Sequence, residues 1–416
     1  MNKIMIYCQH LAGMGHLVRC REIMRSLVKN FKVCFVTGGQ MVPQFQLPDE
    51  VEIVYLPALW QKGAALLPLE GTQSLEAVKA ERQQILINTF DRFQPDCLVT
   101  ECFPFSKMSM KSELKPLLKK AKASAQPVKI VCSLRDIIMT QPLSPGARQR
   151  REEKVCRLIN RFYDAVLFHS DPSFIKLEEF FPRVGDLTCE IIYTGYVAQS
   201  PFQAQLPMPD DVAALSAKAP MIVASTGGGR HGFELLNAVI AASPQLAETI
   251  PHQIYAFAGP FMPEEDFLKL QQAALHRPNV TLRRYTSLLL DYFKQADLSV
   301  SLGGYNTTMN LLRTKVRSLL LPSLNPSQAD EQRIRAEKLA RMDVLTLLTT
   351  ADLQPERLGR AIITALCRIP AAHTINLQGA DNTAHYFQTL LQAPEVMPEL
   401  TPELTPELTP ALTKMV

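Results

Sequence analysis

Short apolar runs rich in β-branched residues alternate with longer stretches whose apolar positions recur at helical spacing. In the first half the runs are Ile4 to Cys8, Lys32 to Thr37, Val51 to Leu56, Cys97 to Thr100, Val128 to Ser133, Ala165 to His169 and Glu190 to Tyr193. Such alternation predicts βαβ units and a parallel sheet. Between Gly195 and Pro220 it dissolves into Pro201, Pro207, Pro209 and polar residues, the composition of a linker. It restarts with Met221 to Ser225, Gln253 to Ala258, Val280 to Arg283, Leu298 to Ser301, Ser318 to Leu321 and Val344 to Leu348. The pattern is that of an α/β chain with two doubly wound, Rossmann-like parallel-sheet domains, each with its ligand edge at the strand carboxyl ends, facing a central cleft. Expected boundaries are 1–198 for the first domain, 199–219 for the linker and 220–365 for the second. Helices near Pro355 to Cys367 and Asp381 to Leu391 finish the fold, with 366–395 closing it. In 396–416 a Thr-Pro-Glu-Leu repeat forbids a stable helix, so that tail is expected to be disordered.

At 416 residues, 47% of them apolar, the chain suffices for two cores. Lys plus Arg number 44 against 40 Asp plus Glu, too small a surplus to argue for a nucleic-acid surface. The nine cysteines are scattered, with no CxxC pair, and read as reduced core thiols. With a strand at the N-terminus, no leader pattern and no apolar stretch near the ~20 residues that span a bilayer, a cytoplasmic protein is expected.

Glycine-rich turns carry the chemistry. The first run leads into Gly13-Met14-Gly15-His16, and Met221 to Ser225 leads into Thr226-Gly227-Gly228-Gly229-Arg230-His231-Gly232. Glycines let the backbone approach a ligand, and the amides of a helix start carry roughly half a positive charge, so each turn is a potential anion cradle. Gly227-x-Gly229-x-x-Gly232 also matches a dinucleotide fingerprint. That fingerprint needs a carboxylate at the end of the next strand, where this chain has Gly259-Pro260. A third turn, Leu302-Gly303-Gly304-Tyr305-Asn306-Thr307, and a strand-loop-helix junction carrying Glu331 and Gln332 complete a surround suited to a base, a ribose and phosphates.

In this order the turns, followed by Asp330-Glu331-Gln332-Arg333-Ile334-Arg335-Ala336, resemble nucleotide-sugar glycosyltransferases of the GT-B fold. Within them the chain is similar to the MurG-like group, glycosyltransferase family 28, and its bacterial relatives. Gln9-His10-Leu11 to Arg19, Thr100-Glu101-Cys102-Phe103-Pro104-Phe105 and Ser133-Leu134-Arg135-Asp136 add to the likeness, which extends to about Ala380. The resemblance implies a UDP-sugar, of GlcNAc or another hexose, in the second domain and an acceptor in the first, with inverting transfer and neither cofactor nor metal. It implies that Gly227, Gly228, Gly229 and Arg230 hold the diphosphate. Gly303, Gly304, Asn306, Thr307 and Asn310 would line the nucleotide-sugar, and Glu331 and Gln332 would meet sugar hydroxyls. Gly13, Gly15, Glu101, Arg135 and Asp136 fall on the acceptor side. MurG-like enzymes carry a ribose-binding glutamate where this chain has Asn310, which can hydrogen-bond but lacks the charge.

His16 stands at a helix start whose positive end disfavours protonation, so a neutral imidazole able to take a hydroxyl proton is expected. His10 would face the same cleft or only the helix, and His231 would border the phosphates. The basic run from Lys107 to Lys122 is a solvated helix face or a dock for anionic lipid, as a lipid-linked rather than small-molecule acceptor would require. Alternatives to transfer are epimerisation or hydrolysis of the UDP-sugar, or nucleotide-sugar binding without turnover.

Overall fold

A computed structural model describes residues 1–10, 14–40, 42, 45–62, 65–69, 74–200 and 219–392. Residues 201–218 of the expected linker, the tail 396–416 and Gly13 lie outside the described residues. The first half supplies β1 (Lys3–Cys8), β2 (Lys32–Thr37), β3 (Glu52–Tyr55), a hairpin of β4 (Leu59–Lys62) and β5 (Ala65–Pro68), then β6 (Cys97–Glu101), β7 (Lys129–Arg135), β8 (Ala165–His169) and β9 (Glu190–Tyr193). All but the hairpin form one sheet, in the order β3-β2-β1-β6-β7-β8-β9, with every pair parallel. The second half supplies β10 (Met221–Ser225), β11 (Gln253–Phe257), β12 (Val280–Arg283), β13 (Leu298–Leu302), β14 (Arg317–Leu321) and β15 (Thr346–Leu347), ordered β12-β11-β10-β13-β14-β15. Every expected run is a strand. The sequence reading missed the antiparallel hairpin, whose residues lack a simple apolar run.

In both sheets the strand order reverses beside the first strand, between β1 and β6 and between β10 and β13. Connections on either side of such a point leave in opposite directions, opening a crevice at the carboxyl edge. The glycine turns after β1, β10 and β13 therefore fall at the two crevices. The Pro355–Cys367 helix stays on the second domain, where Leu358 and Ile362 pack with Leu236 and Val239. The Gly379–Leu391 helix crosses back instead, and its Ala384 and Phe387 join Ile4, Leu17 and Ile23 in the first domain's core. Ser26 Oγ donates to Asp381 (2.7 Å) and Asn382 Nδ2 to the Thr194 carbonyl (2.8 Å), fixing that return.

The run from Lys107 forms a helix over Lys111–Lys122, with Leu114, Leu117 and Leu118 buried. These apolar positions belong to the core, so only the lysine face is open to any anionic surface. No helix among the described residues is long and apolar enough to cross a membrane. All nine cysteines are unpaired; seven are buried, Cys189 is half-buried and Cys367 exposed.

Across the domain seam, Arg335 donates from Nε and Nη2 to both oxygens of Asp136 (2.7 and 2.9 Å), with both side chains fully buried. Burial alone would lower the Arg335 pKa, and the Asp136 charge outweighs it and raises it. Arg335 lies 5.4 Å from the Tyr305 ring centroid, while Arg19 of the first domain lies 5.7 Å from the same ring. Lys338 extends the seam to Glu179 (2.6 Å). Removing one partner of a buried pair strands the other's charge, whereas replacing both with apolar groups does not. Arg335→Ala is therefore expected to cost about 3–5 kcal/mol in a denaturant melt, and Asp136→Leu/Arg335→Met much less; equal losses in both variants would contradict this role.

Candidate active site

His16 opens the Gly15–Leu27 helix directly after the turn that leaves β1, and Glu101 ends β6, the neighbouring strand at the switch point. Adjacent parallel strands thus bring the two together: His16 Nδ1 lies 2.6 Å from Glu101 Oε1. Arg19, one helical turn beyond His16, binds the same oxygen, and the Cys102 thiol donates to it (3.1 Å). Burial by itself would raise the Glu101 carboxyl; His16 and Arg19 overcome it and hold that carboxyl well below the usual range. The His16 pKa is also lowered, to about 3, but here burial is the dominant cause and outweighs the pull of Glu101. The imidazole is neutral, as expected, but the dominant cause is desolvation rather than the helix end. With Nδ1 committed to Glu101, Nε2 is the nitrogen left for a substrate proton.

Atoms of His16, Glu101 and Cys102 lie within 4.8 Å of one another, a spacing that a metal would accept. Arg19 already neutralises that carboxylate, and burial pushes the Cys102 thiol up to about 11, so the trio is poorly suited to a cation.

The opposite wall comes from the second domain. One cleft is lined by Gly15, His16 and Arg135 on one side and by Gly227, Gly228, Gly229, Arg230, Gly304, Asn306, Thr307, Asn310, Glu331 and Gln332 on the other. Gly229 has φ +83°, and a Cβ there would lie 2.2 Å from the Ala258 carbonyl oxygen. This close approach, with Gly259 facing it, fixes the turn. The amides of Gly227 and Gly229 make long bonds within the turn (3.3 Å to Ser225 Oγ and the Thr226 carbonyl), so Gly228 is the glycine of the three whose amide is not used there. Arg230 has a buried Nε without a partner, and the Phe233–Thr249 helix starts just beyond.

Three expected site residues stand off the cleft wall. Asp136 is not on the acceptor side, because it is spent on Arg335 in the seam. Glu101 lies behind His16, and Gly303 packs near Gln332 behind the turn. His10 turns away to the Gln40 carbonyl (2.8 Å). Glu331 Oε2 binds Arg135 across the cleft, and Gln332 Oε1 accepts the Ser323 amide (2.9 Å), leaving Glu331 Oε1 and Gln332 Nε2 for a ligand. Asn306 Nδ2 donates to the Gly15 carbonyl (3.1 Å) and Asn310 Nδ2 to Gln199 (2.6 Å), so both also hold the domains together. Sequence reasoning assigned no role to Arg19 or Arg335, although both stand inside the motifs it used, and it read Lys107, which lines the cleft, only as the start of a basic run.

Two switch-point crevices facing each other across one polar cleft define a GT-B glycosyltransferase fold, and solved structures share it. The chain is similar to Acinetobacter baumannii MurG (13% identity, TM-score 0.57, covering 94% of this chain and 100% of that one). It is likewise similar to the spinosyn rhamnosyltransferase SpnG complexed with thymidine diphosphate (14%, 0.57, 94% and 100%). Phytolacca americana UGT2 complexed with UDP-2fluoro-glucose and pterostilbene gives comparable values (13%, 0.57, 94% and 94%). No curated protein matches by sequence. Residues 223–376 match the model of the glycosyltransferase family 28 C-terminal domain.

Gly229→Ala is expected to lower stability by about 1–3 kcal/mol through a strained φ and the contact with Ala258. Gly228→Ala, where the nearest atom is 3.8 Å away, should melt within about 0.5 kcal/mol of wild type. For His16 the unfolded chain binds a proton below pH ~6.5 while the folded site stays neutral down to about 3, so stability falls as pH drops through that window. Between pH 6.5 and 5 wild type should lose about 1–2 kcal/mol more than His16→Gln; parallel melting curves for the two would refute the assigned shift.

Proposed function

We propose that the enzyme transfers a sugar from a UDP-sugar to an acceptor hydroxyl, with inversion and without a metal ion. The observation that carries this reading is the His16–Glu101 pair, 2.6 Å apart, on the cleft wall opposite the glycine turn at 227–229. The acceptor oxygen attacks the anomeric carbon while His16 Nε2 takes its proton and the bond from that carbon to the diphosphate oxygen breaks. Glu101 keeps Nδ1–H in place and stabilises the imidazolium as it forms, which compensates for the low basicity of the buried ring. Inversion is the outcome of this single displacement, because base and leaving group occupy opposite walls.

Charge that develops on the departing diphosphate meets the Gly228 amide, Arg230 and the start of the Phe233–Thr249 helix, donors fixed before the reaction begins. That fixed positive field is the argument for a metal-free mechanism. Glu331 Oε1 and Gln332 Nε2 would meet sugar hydroxyls, and Asn310 the nucleoside. A pyrimidine nucleotide suits this domain, since two structures of similar fold hold UDP-2fluoro-glucose and thymidine diphosphate.

His16→Ala should lower kcat by roughly 10²–10⁴ while UDP still raises Tm as in wild type. Near-normal turnover would remove His16 as the base, and a flat melting response to every uridine nucleotide would end the donor assignment. Formation of a glycosylated acceptor, rather than free sugar or an epimer, separates transfer from the alternative reactions.

A further inference from the structure

Beside His16 a second cavity, of about 640 Å³, opens on the first domain away from the glycine turns. Its walls carry Lys107 from the loop after β6 and Arg150, Arg151 and Lys154 from the Pro145–Phe162 helix. Among the described residues none of these four cations has a carboxylate within ion-pair distance. The acids of the same helix are engaged elsewhere, Glu152 with Arg148 (2.9 Å) and Glu153 facing Arg183 (3.8 Å), and Glu331 on the cavity wall already binds Arg135. Arg151 is held by neutral acceptors, the Gln141 side chain and the Phe105 carbonyl (both 3.2 Å), so its charge is positioned without being cancelled. Buried Ile137, Ile138 and Val155 supply the apolar part of the wall. Such a surface suits carboxylates that each stand next to an apolar side chain.

The chain carries a segment of that chemistry. After Gln392 a Pro-Glu-Val or Pro-Glu-Leu unit recurs at intervals of four, with its acids at Glu395, Glu399, Glu403 and Glu407, and the same stretch holds one cation, Lys414. A proline before each glutamate fixes φ and reduces the entropy that ordering the segment removes. Reach is sufficient as well. Asn2 Nδ2 donates to the Leu391 carbonyl (2.7 Å), so the last helix ends beside the start of β1, at the amino edge of the first sheet. The cavity opens at the carboxyl edge, after β6 and β7. The seven residues of β7 set the height of that sheet at about 23 Å, whereas residues 393–416 at the polyproline rise would span roughly 70 Å. A segment tethered in this way meets its site at about millimolar effective concentration, so weak contacts suffice to hold it.

We infer that the acidic repeats of residues 393–416 dock in this cavity of the same chain, their glutamates on Lys107, Arg150 and Lys154 and their leucines against the apolar wall. The docked segment stands beside His16 and excludes an acceptor from that side, an autoinhibitory contact. Docking is independent of the sugar-transfer reading; the exclusion of an acceptor rests on it.

The test uses the full chain carrying Glu395→Gln/Glu399→Gln/Glu403→Gln/Glu407→Gln, which frees the cavity, and a fluorescently labelled peptide of sequence 393–416 as probe. Anisotropy is expected to show saturable binding to this tail variant and roughly fivefold or weaker affinity for wild type, whose own tail competes. Adding Arg150→Glu/Lys154→Glu should weaken binding roughly tenfold, and Lys107→Gln, on a separate segment, should weaken it as well. An unchanged Tm shows that each variant is folded. No saturable binding, or equal binding with and without Arg150→Glu/Lys154→Glu, overturns the inference. Equal affinity for wild type and the tail variant, or wild-type dimers that the tail variant dissolves, overturns docking within one chain. In a transfer assay the tail variant is expected to lower the acceptor KM at constant kcat. Peptide binding as expected with an unmoved KM leaves docking standing and refutes the exclusion of an acceptor, and absence of transfer in every variant strikes the sugar-transfer reading while the anisotropy result still decides the docking.

Discussion

A carboxylate buried at the end of a central strand cannot stay ionised unless positive or donating groups surround it. Glu101 meets that condition through Arg19 and His16, and this constraint organises the first domain's share of the site. The switch point puts β6 beside β1, so the helix after β1 delivers His16 and Arg19 to Glu101 from consecutive turns. Arg19 in turn lies by the Tyr305 ring of the second domain, whose hydroxyl accepts the Val197 amide (3.2 Å). One charge thereby links His16, the sheet edge and the segment on which the chain crosses between domains. Loss of Glu101 would leave Arg19 as an unpaired buried cation, a cost separate from the loss of the His16 contact.

The two walls of the cleft solve different electrostatic problems. In the proposed transfer a leaving group gains charge at the second domain's wall, where a tight main-chain turn with a helix start offers donors that need not move. In the same proposal a proton leaves and a substrate is oriented at the first domain's wall, which takes titratable and long charged side chains. Glu331 with Arg135, and Arg335 with Asp136, tie these walls at nearby points, one half-exposed and one dry. The dry pair holds the domains in register. The wetter one, at the cleft, lies where a ligand can compete for it.

That division also explains what was legible in the sequence. Strands buried on both faces appear as continuous apolar runs, so both sheets could be read, and backbone cradles appear as glycine spacing, so Gly227 to Gly229 and Gly304 could be placed. Side-chain partnerships between residues such as Asp136 and Arg335, 199 positions apart, leave no local pattern. Asp136 was read as a substrate contact because a carboxylate after a strand looks the same whether it faces solvent or a buried arginine. The helix from Lys111 to Lys122 shows the same limit: its leucines mark an amphipathic face, and only the fold reveals that the Leu75–Phe93 helix and the core cover it. For His16 the expected neutral imidazole has burial rather than the helix end as its main cause, and burial is a property of the fold that the sequence pattern does not carry.

Asn310 joins these strands of argument. Family resemblance implies a ribose-binding glutamate at this position, and a carboxylate there could only accept hydrogen bonds. Asn310 instead donates to Gln199, at the edge of the inter-domain crossing, and keeps a buried Oδ1 without a partner. Both side chains line the donor cleft. A ribose hydroxyl that donates to Oδ1 would satisfy that oxygen without disturbing the bond to Gln199, whereas a glutamate would need Gln199 to reverse its amide. The exchange of charge for an amide therefore adds a donor link between the nucleotide pocket and the crossing segment. On the proposed donor assignment, nucleotide binding would be coupled to the placement of the two domains through a neutral contact, one that ionic strength screens far less than it would an ion pair.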